Sequence, residues 1–413
     1  MEVVKQLLNR RPGWIGCLVA IALAGAPGEA AAQGHFGRGT LNDRMTWEEI
    51  TQAMAKYPPS FDSGLERMFI MQSMDRLVDF QVQKMGPKER ARLTEMVHFY
   101  RRRVDSGLDA LEKTRSADAV AGAKARPGAA RRGPKPNTRR PENVRVVKFY
   151  SSSVVLCTPS ATVAIDFAQG PVDNHGEPEV SDPYGTGFYL SPRQRDHLSH
   201  LVDVLLITHC HHDHADYSLA KRLVAQGKPV FGPADLKTYW PELAKGITVP
   251  EYDKVEQAGP CEIFTQLGAQ YVKGAPGEDG PAPGTAESQR LDKDVQSVRY
   301  LIRLGGIVFL HSAENHADAD QWLARAHRLG WRVDVVFSTG QYQGVTWVPR
   351  YLVERGYFHI PVHEYDLEHE ASGNRTAVYF MGKNLQRYMS QKLMPLMWGE
   401  NFLLTPQLAR PPK

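Results

Sequence analysis

A short apolar run followed at once by a cluster of histidines constrains this chain more than any other feature. Residues 204–207 are wholly apolar, as expected of a buried strand, and residues 208–214 then read Thr-His-Cys-His-His-Asp-His. An extended segment would point alternate side chains the same way, and a turn after it would bring the later side chains back toward them. The predicted ligands of a metal site at this strand end are His209, His211, Asp213 and His214.

The chemistry of these side chains indicates the kind of ion. Imidazole and carboxylate together suit zinc, and manganese or iron also fit. Cys210 lies out of phase with the histidines beside it and is expected to point away. The alternative, a solvated histidine-rich turn that binds metal adventitiously, is disfavoured because such turns rarely follow so apolar a strand.

The spacing His-x-His-x-Asp-His at 209–214 resembles the hallmark of the metallo-β-lactamase fold superfamily. The resemblance implies a four-layer αββα sandwich with a hydrolytic site of one or two metals along one edge of the sheets, where Asp213 is also a catalytic residue. Asp-Val-Val-Phe at 334–337, followed by Ile-Pro-Val-His at 360–363, resembles the L-ascorbate-6-phosphate lactonase-like branch.

The resemblance also implies residues outside the central motif. Glu314 falls where the superfamily usually has a metal-bridging aspartate, and His363 follows a proline at the end of a late strand, as the last ligand does. Asp166, in Val-Ala-Ile-Asp-Phe, falls where an aspartate supports the metal histidines from behind.

One ligand that the resemblance implies is missing. The third histidine of the first metal site usually lies after the central motif, but no histidine occurs from Ala215 to Leu310. Either another residue replaces it, or only a second site, formed by Asp213, His214 and His363, is fully equipped. The candidate replacements are Glu278, Asp279, Glu287, His311 and His316.

The amino-terminal residues read as a secretory signal peptide. Basic residues precede an apolar run from Trp14 to Ala26, and three alanines before Gln33 fit a cleavage site. The run is short for a transmembrane helix, so we expect a periplasmic or secreted protein without stable membrane insertion after cleavage, with an uncleaved anchor as the alternative. The later cysteines are too few for a disulfide framework.

The predicted organisation is a signal peptide at 1–32, a helical region at 42–115, a basic Pro/Gly/Ala linker at 116–143, and an α/β hydrolase domain at 144–403.

The helical region is predicted to contain three helices between Asn42 and Thr114. Thr46 with Glu49 matches a capping box, and the last helix carries apolar residues at helical spacing. Its methionines are more typical of core than of a ligand groove. We expect these helices to dock on the α/β domain near the metal site, because short isolated helices are marginal in water.

Composition narrows the function further. A net charge of +4 is too small to indicate a nucleic-acid partner, and 42% apolar with 23% charged residues is typical of a globular protein. The first hypothesis is an exported metal-dependent hydrolase of a small-molecule ester, lactone, amide or phosphoester. The alternative is a degenerate metal-binding or partner-binding protein without turnover. The oligomeric state stays open.

Overall fold

The structure is a computed structural model, and it describes most of the chain after residue 45. The described residues are 46–60, 63, 64, 67, 70, 86–123, 141–172, 175–182, 185–269, 295–311, 319–339, 358–362 and 392–409. The predicted signal peptide and the predicted ligands Glu314 and His363 lie outside these residues. Among the described helices, none has both the length and the apolar character needed to cross a membrane.

The helices of the described residues fall before, between and after the strands. They are α1 (Trp47–Lys56), α2 (Pro87–Ala123), α3 (Pro178–Ser181), α4 (Pro192–Leu201), α5 (Tyr217–Ala225), α6 (Leu236–Tyr239), α7 (Ala319–Arg328) and α8 (Pro406–Ala409).

The strands are short in the first half of the α/β region and longer in the second. They are β1 (Val144–Lys148), β2 (Val154–Cys157), β3 (Thr162–Ile165), β4 (Val204–Leu206), β5 (Val230–Phe231), β6 (Ile247–Thr248), β7 (Val255–Ala258), β8 (Cys261–Ala269), β9 (Gln296–Leu304), β10 (Ile307–His311), β11 (Val335–Thr339), β12 (Phe358–Val362), β13 (Lys392–Leu393) and β14 (Asn401–Leu404).

These strands form two mixed sheets with matching patterns. The first sheet has the order β14-β1-β2-β3-β4-β5-β6 and the second has the order β13-β12-β11-β10-β9-β8-β7. In the first, β14 to β3 pair antiparallel and β3 to β6 pair parallel. In the second, β7 to β10 pair antiparallel and β10 to β13 pair parallel.

A two-residue period explains how the first sheet is buried on both faces. In β1, Val146 lies in the apolar core between the sheets, whereas Val147 lies in the core beneath the helices. In β4, Leu206 lies in the core between the sheets and Leu205 lies in the core beneath the helices. Helix α7 covers the second sheet, where Trp322 stacks on Phe264 with ring centroids 5.7 Å apart. Two sheets with helices on both outer faces are the predicted αββα sandwich, so the fold class is confirmed.

Local signals in the sequence explain several element boundaries. The Thr46 hydroxyl accepts a hydrogen bond from the Glu49 backbone N–H at 3.2 Å, which completes the predicted capping box of α1. Gly305 and Gly306 join β9 to β10 with φ angles of 58° and 80°, which suits the tight turn of a twisted hairpin.

Helix α2 docks on the first sheet, as the sequence predicts for the helical region. Its apolar stripe is buried, and it packs against β1, β2 and α4. Met96 is fully buried in this core, which favours a packing role for the methionine. The helix continues to Ala123, beyond the boundary expected at residue 115. The buried stripe consists of Leu93, Met96, Val97, Tyr100, Val104, Leu108 and Leu111.

The carboxyl-terminal segment 394–400 runs beneath α2 and makes the docking close. A Cβ atom on Gly399 would lie 2.0 Å from the Arg103 carbonyl oxygen, and the φ of Gly399 is +69°. Buried Glu400 pairs with both Arg67 and Arg103 from the helical region. The helices and the last strand of the first sheet are therefore packed as one unit.

The close approach at Gly399 gives a stability prediction with a matched control. Gly227 has the same φ of +69°, but within the described residues no atom lies within 4 Å of its ideal Cβ position. Gly227→Ala should cost about 1 to 2 kcal/mol for the left-handed backbone alone. Gly399→Ala should cost roughly 1 to 3 kcal/mol more through overpacking. Chemical denaturation measures both, and equal losses would show that α2 does not pack against Gly399.

Candidate metal centre at the edge shared by the two sheets

The strand directions bring separate parts of the chain to one edge of the first sheet. Strands β1, β3 and β4 run in the same direction, because β2 lies antiparallel between β1 and β3. The carboxyl end of β3 leads to Asp166, that of β4 leads to Thr208, and the turn after β1 contains Ser152. Residues far apart in the sequence therefore meet at this edge.

Buried Asp166 lies at the centre of the site. Its Oδ1 accepts a hydrogen bond from the Thr208 backbone N–H at 2.6 Å, and its Oδ2 accepts one from the Thr208 hydroxyl at 2.7 Å. Oδ2 also lies 2.7 Å from Nδ1 of His214. Asp166 has a φ of +44°, a left-handed conformation that aspartate tolerates better than most residues. These bonds place Asp166 behind His214 and Thr208, as the sequence predicts, and its role in supporting a bound metal stays a prediction.

These bonds fix which ring nitrogens carry hydrogen. A carboxylate only accepts, so Nδ1 of His214 donates to Asp166. The Thr208 hydroxyl gives its hydrogen to Asp166 and therefore accepts from Nδ1 of His209, at 2.9 Å. In each neutral imidazole the lone pair then lies on Nε2, the nitrogen that is left to bind a metal.

Three of the four ligands predicted from the central motif form one group. His209, Asp213 and His214 are buried, and each offers a ligand atom within 4.8 Å of the others. Oδ2 of Asp213 lies 3.5 Å from Nε2 of His214. Two imidazoles with fixed orientations, together with one carboxylate, fit a divalent cation.

His211 lies beside this group and is partly exposed. The motif is a turn rather than an extended segment, because the backbone N–H groups of His214 and Ala215 both donate to the His211 carbonyl. The His209 and His211 ring centroids are 4.7 Å apart, but His211 is not among the three clustered residues. Its role as a ligand stays a prediction. Burial raises the pKa of the neighbouring Cys210 thiol to about 12, so this side chain remains a neutral thiol.

The second sheet supports the site from the other side. The Tyr300 hydroxyl donates to the Ile207 carbonyl at 3.0 Å, and the Val298 backbone N–H donates to the Thr208 carbonyl at 2.8 Å. Both bonds fix the end of β4, immediately before the histidines. The group of His209, Asp213 and His214 therefore lies where the two sheets meet.

His311, at the end of β10, faces the supporting carboxylate. Its Nδ1 lies 3.5 Å from Oδ2 of Asp166, and its side chain is buried. Burial lowers the pKa of His311, and nearby His214 lowers it further against the opposing effect of Asp166. His311 was a candidate to replace the missing histidine, but it does not join the three-residue group within the described part of the chain. The other candidates, Glu278, Asp279, Glu287 and His316, lie outside the described residues.

A chain of hydrogen bonds links Asp216, which lies just after the histidine motif, to helix α2. Asp216 caps α5 by accepting the Leu219 backbone N–H at 2.6 Å, and it accepts the Gln169 side-chain amide at 2.7 Å. The Tyr100 hydroxyl of α2 donates to the Gln169 carbonyl at 3.0 Å. The helical region thus reaches the segment directly after the motif, which agrees with the predicted docking near the site.

Sequence reasoning missed the hydroxyls at this centre. Thr208 ends the predicted strand, but its bonds to Asp166 and His209 appear only in three dimensions. Ser152 Oγ lies 3.3 Å from Nε2 of His214. A run of three serines at 151–153, separated from the end of β1 by two residues, was the available signal, because β1 and β3 end at the same edge.

Comparisons with known proteins give only distant similarities. No family model matches the sequence, and no curated protein matches it. Solved structures that match include a possible metal-dependent hydrolase from Veillonella parvula, with 16% identity and a TM-score of 0.43 over 63% of this chain and 99% of that one. An isothiocyanate hydrolase from Delia radicum gut bacteria matches with 15% identity and a TM-score of 0.41, over 63% of this chain and 99% of that one.

A metallo-β-lactamase fold protein from Bacillus subtilis also matches, with 12% identity and a TM-score of 0.35 over 63% of this chain and 99% of that one. The assignment to the metallo-β-lactamase fold does not rest on these similarities. It rests on the order of the two sheets and on the position of the histidine motif at their shared edge.

The bonds of Thr208 give a prediction about metal affinity. Thr208→Val keeps the shape of the side chain but removes the hydroxyl that orients His209 and Asp166, so divalent metal should bind about tenfold more weakly. Thr208→Ser keeps the hydroxyl and should bind metal with almost the affinity of the original protein. Titration against a competing chelator measures both variants, and equal affinities would contradict the orienting role.

Asp216 gives a prediction about pH. Burial raises the pKa of its carboxyl group from 3.8 to about 6. The folded protein therefore holds this proton more tightly than the unfolded chain, so its stabilising effect is complete below 3.8 and is lost as pH rises through 6. Asp216→Asn keeps the cap but cannot titrate. In metal-free protein, this variant should lack the loss of folding stability at higher pH, which is about 3 kcal/mol at most in the original protein. Urea unfolding at a series of pH values tests this, and parallel pH profiles would contradict it.

Proposed function

We propose that this protein is an exported metal-dependent hydrolase that acts on a small molecule with an ester, lactone, amide or phosphoester bond. The observation that carries the proposal is the buried group of His209, Asp213 and His214. Hydrogen bonds through Thr208 and Asp166 leave Nε2 as the acceptor nitrogen of both imidazoles. A purely structural cluster would not need both rings held in the same tautomer.

The donor set narrows the choice of cation. Two neutral imidazoles and one carboxylate suit zinc, and they also suit manganese or iron. Calcium and magnesium are disfavoured because they prefer sites made of oxygen. Zinc is therefore the first choice, and the number of ions depends on Glu314 and His363, which lie outside the described residues.

Each residue of the group has a distinct part in the proposed hydrolysis. When bound, a divalent cation lowers the pKa of water and polarises the carbonyl or phosphoryl oxygen of a substrate. His209 and His214 would hold such an ion as neutral ligands, and Asp166 would stabilise the positive charge on the His214 ring. Asp213 would contribute negative charge, and its Oδ2, which lies 3.5 Å from Nε2 of His214, would be placed to accept a proton from a water at the site.

The proposal of export is supported by sequence alone. Residues 1–32 combine basic residues, an apolar run and a small-residue cleavage site. Periplasmic or secreted location would place the enzyme in contact with small molecules outside the cytoplasm.

The proposal predicts that metal and turnover are lost together. Asp213→Ala should weaken zinc binding by roughly a hundredfold or more and abolish hydrolysis, because it removes the only carboxylate of the group. His212→Ala is the matched control, since His212 lies in the same turn but outside the group. Metal per chain, circular dichroism and turnover on ester, lactone, amide and phosphodiester substrates are measured on both variants.

Two results would contradict the proposal in different ways. Full metal retention in Asp213→Ala would show that the group is not the metal centre. Metal bound at the group without turnover on any substrate class would favour the alternative function, a metal-binding protein that has lost catalysis.

A further inference from the structure

The turn between β1 and β2 places a hydroxyl group directly against the metal group. Ser152 is buried, and its Oγ lies 3.3 Å from Nε2 of His214. Since Nδ1 of His214 donates to Asp166, Nε2 is the acceptor of this contact and also the nitrogen available for a metal. Ser152 therefore lies next to the ligand atom itself, not behind the ring.

The distances around Nε2 fit those between ligands of one ion. Two ligands of a tetrahedral zinc ion, with bonds of 2.0–2.1 Å, lie about 3.3 Å apart. The separation from Nε2 of His214 is 3.3 Å for Ser152 Oγ and 3.5 Å for Asp213 Oδ2. The serine hydroxyl is thus as well placed as the carboxylate to share an ion with His214.

The turn that carries Ser152 is held in an unfavourable conformation. Ser151 has a φ of +45°, which is costly for a residue other than glycine. The buried Lys148 ammonium donates to the carbonyls of Ser151 and Phe149, and Ser153 exchanges hydrogen bonds with the Ala168 backbone at 2.6 and 2.9 Å. Ser151 and Ser153 are therefore both held in place, with Ser152 between them. Backbone strain that is held in this way is concentrated at functional sites, so it supports a functional role for Ser152.

We propose that Ser152 is a further residue of the metal centre and supplies the fourth protein donor beside His209, Asp213 and His214. This inference rests on the proposed metal-dependent function. A neutral hydroxyl is a hard oxygen donor, so it favours manganese more than zinc. It would add to the donor set from a part of the chain outside the histidine motif.

The most direct test replaces the hydroxyl with a thiol. Cobalt is titrated into chelator-treated protein, because a thiolate bound to cobalt gives a charge-transfer absorption band in the near ultraviolet. Ser152→Cys should acquire this band. Ser151→Cys is the matched control, because it changes the neighbouring residue of the same buried turn, whereas Ser152 is the residue whose Oγ lies against Nε2 of His214. This variant should keep the spectrum of the original protein, which includes any contribution from Cys210.

Ser152→Ala tests the same role without introducing a thiol, in case Ser152→Cys does not fold. Ser152→Ala should bind manganese about tenfold more weakly, with a smaller loss for zinc. A cobalt spectrum unchanged in Ser152→Cys, or unchanged manganese affinity in Ser152→Ala, would overturn the role of Ser152 alone. If the original protein binds no cobalt, or if His214→Ala binds it equally well, the proposed metal centre itself fails and this inference fails with it.

Discussion

The Asp166 carboxylate is the interaction on which the rest of the site depends. It is fully buried, yet it accepts two hydrogen bonds from Thr208 and one from His214, so its charge is compensated by groups that are themselves fixed. One carboxylate thereby sets the end of β4, the tautomer of His214 and, through the Thr208 hydroxyl, the tautomer of His209. Without it, two imidazoles in a turn would have no preferred orientation, and metal binding would have to overcome that freedom.

The helical region has a physical connection to this centre. Glu400, buried beneath α2, pairs with Arg103, and its carbonyl accepts the backbone N–H of Lys148 at 3.0 Å. The Lys148 side chain in turn holds the turn that places Ser152 against His214. The helical region that precedes the α/β fold therefore contacts residues that support the site, although none of its described residues belongs to the group of clustered ligands.

The sequence predicted the apolar stripe of α2 from its helical periodicity, and it predicted the αββα class through resemblance to a known superfamily. It also predicted Asp166, through resemblance. It did not predict the turn at the His211 carbonyl, because a two-residue period assumes an extended backbone. Ser152 and the Thr208 hydroxyl were missed because strand order, which sequence periodicity does not encode, decides which strand ends meet.

The central claim is that the protein fixes the tautomers of both histidines before any metal binds. Nitrogen NMR of metal-free protein with labelled histidine rings tests it directly, because the two ring nitrogens differ in chemical shift according to which one carries hydrogen. We expect His209 and His214 each to carry hydrogen on Nδ1, with Nε2 unprotonated at neutral pH. Hydrogen on Nε2 of either ring, or a mixture of tautomers that resolves only when zinc is added, would contradict it.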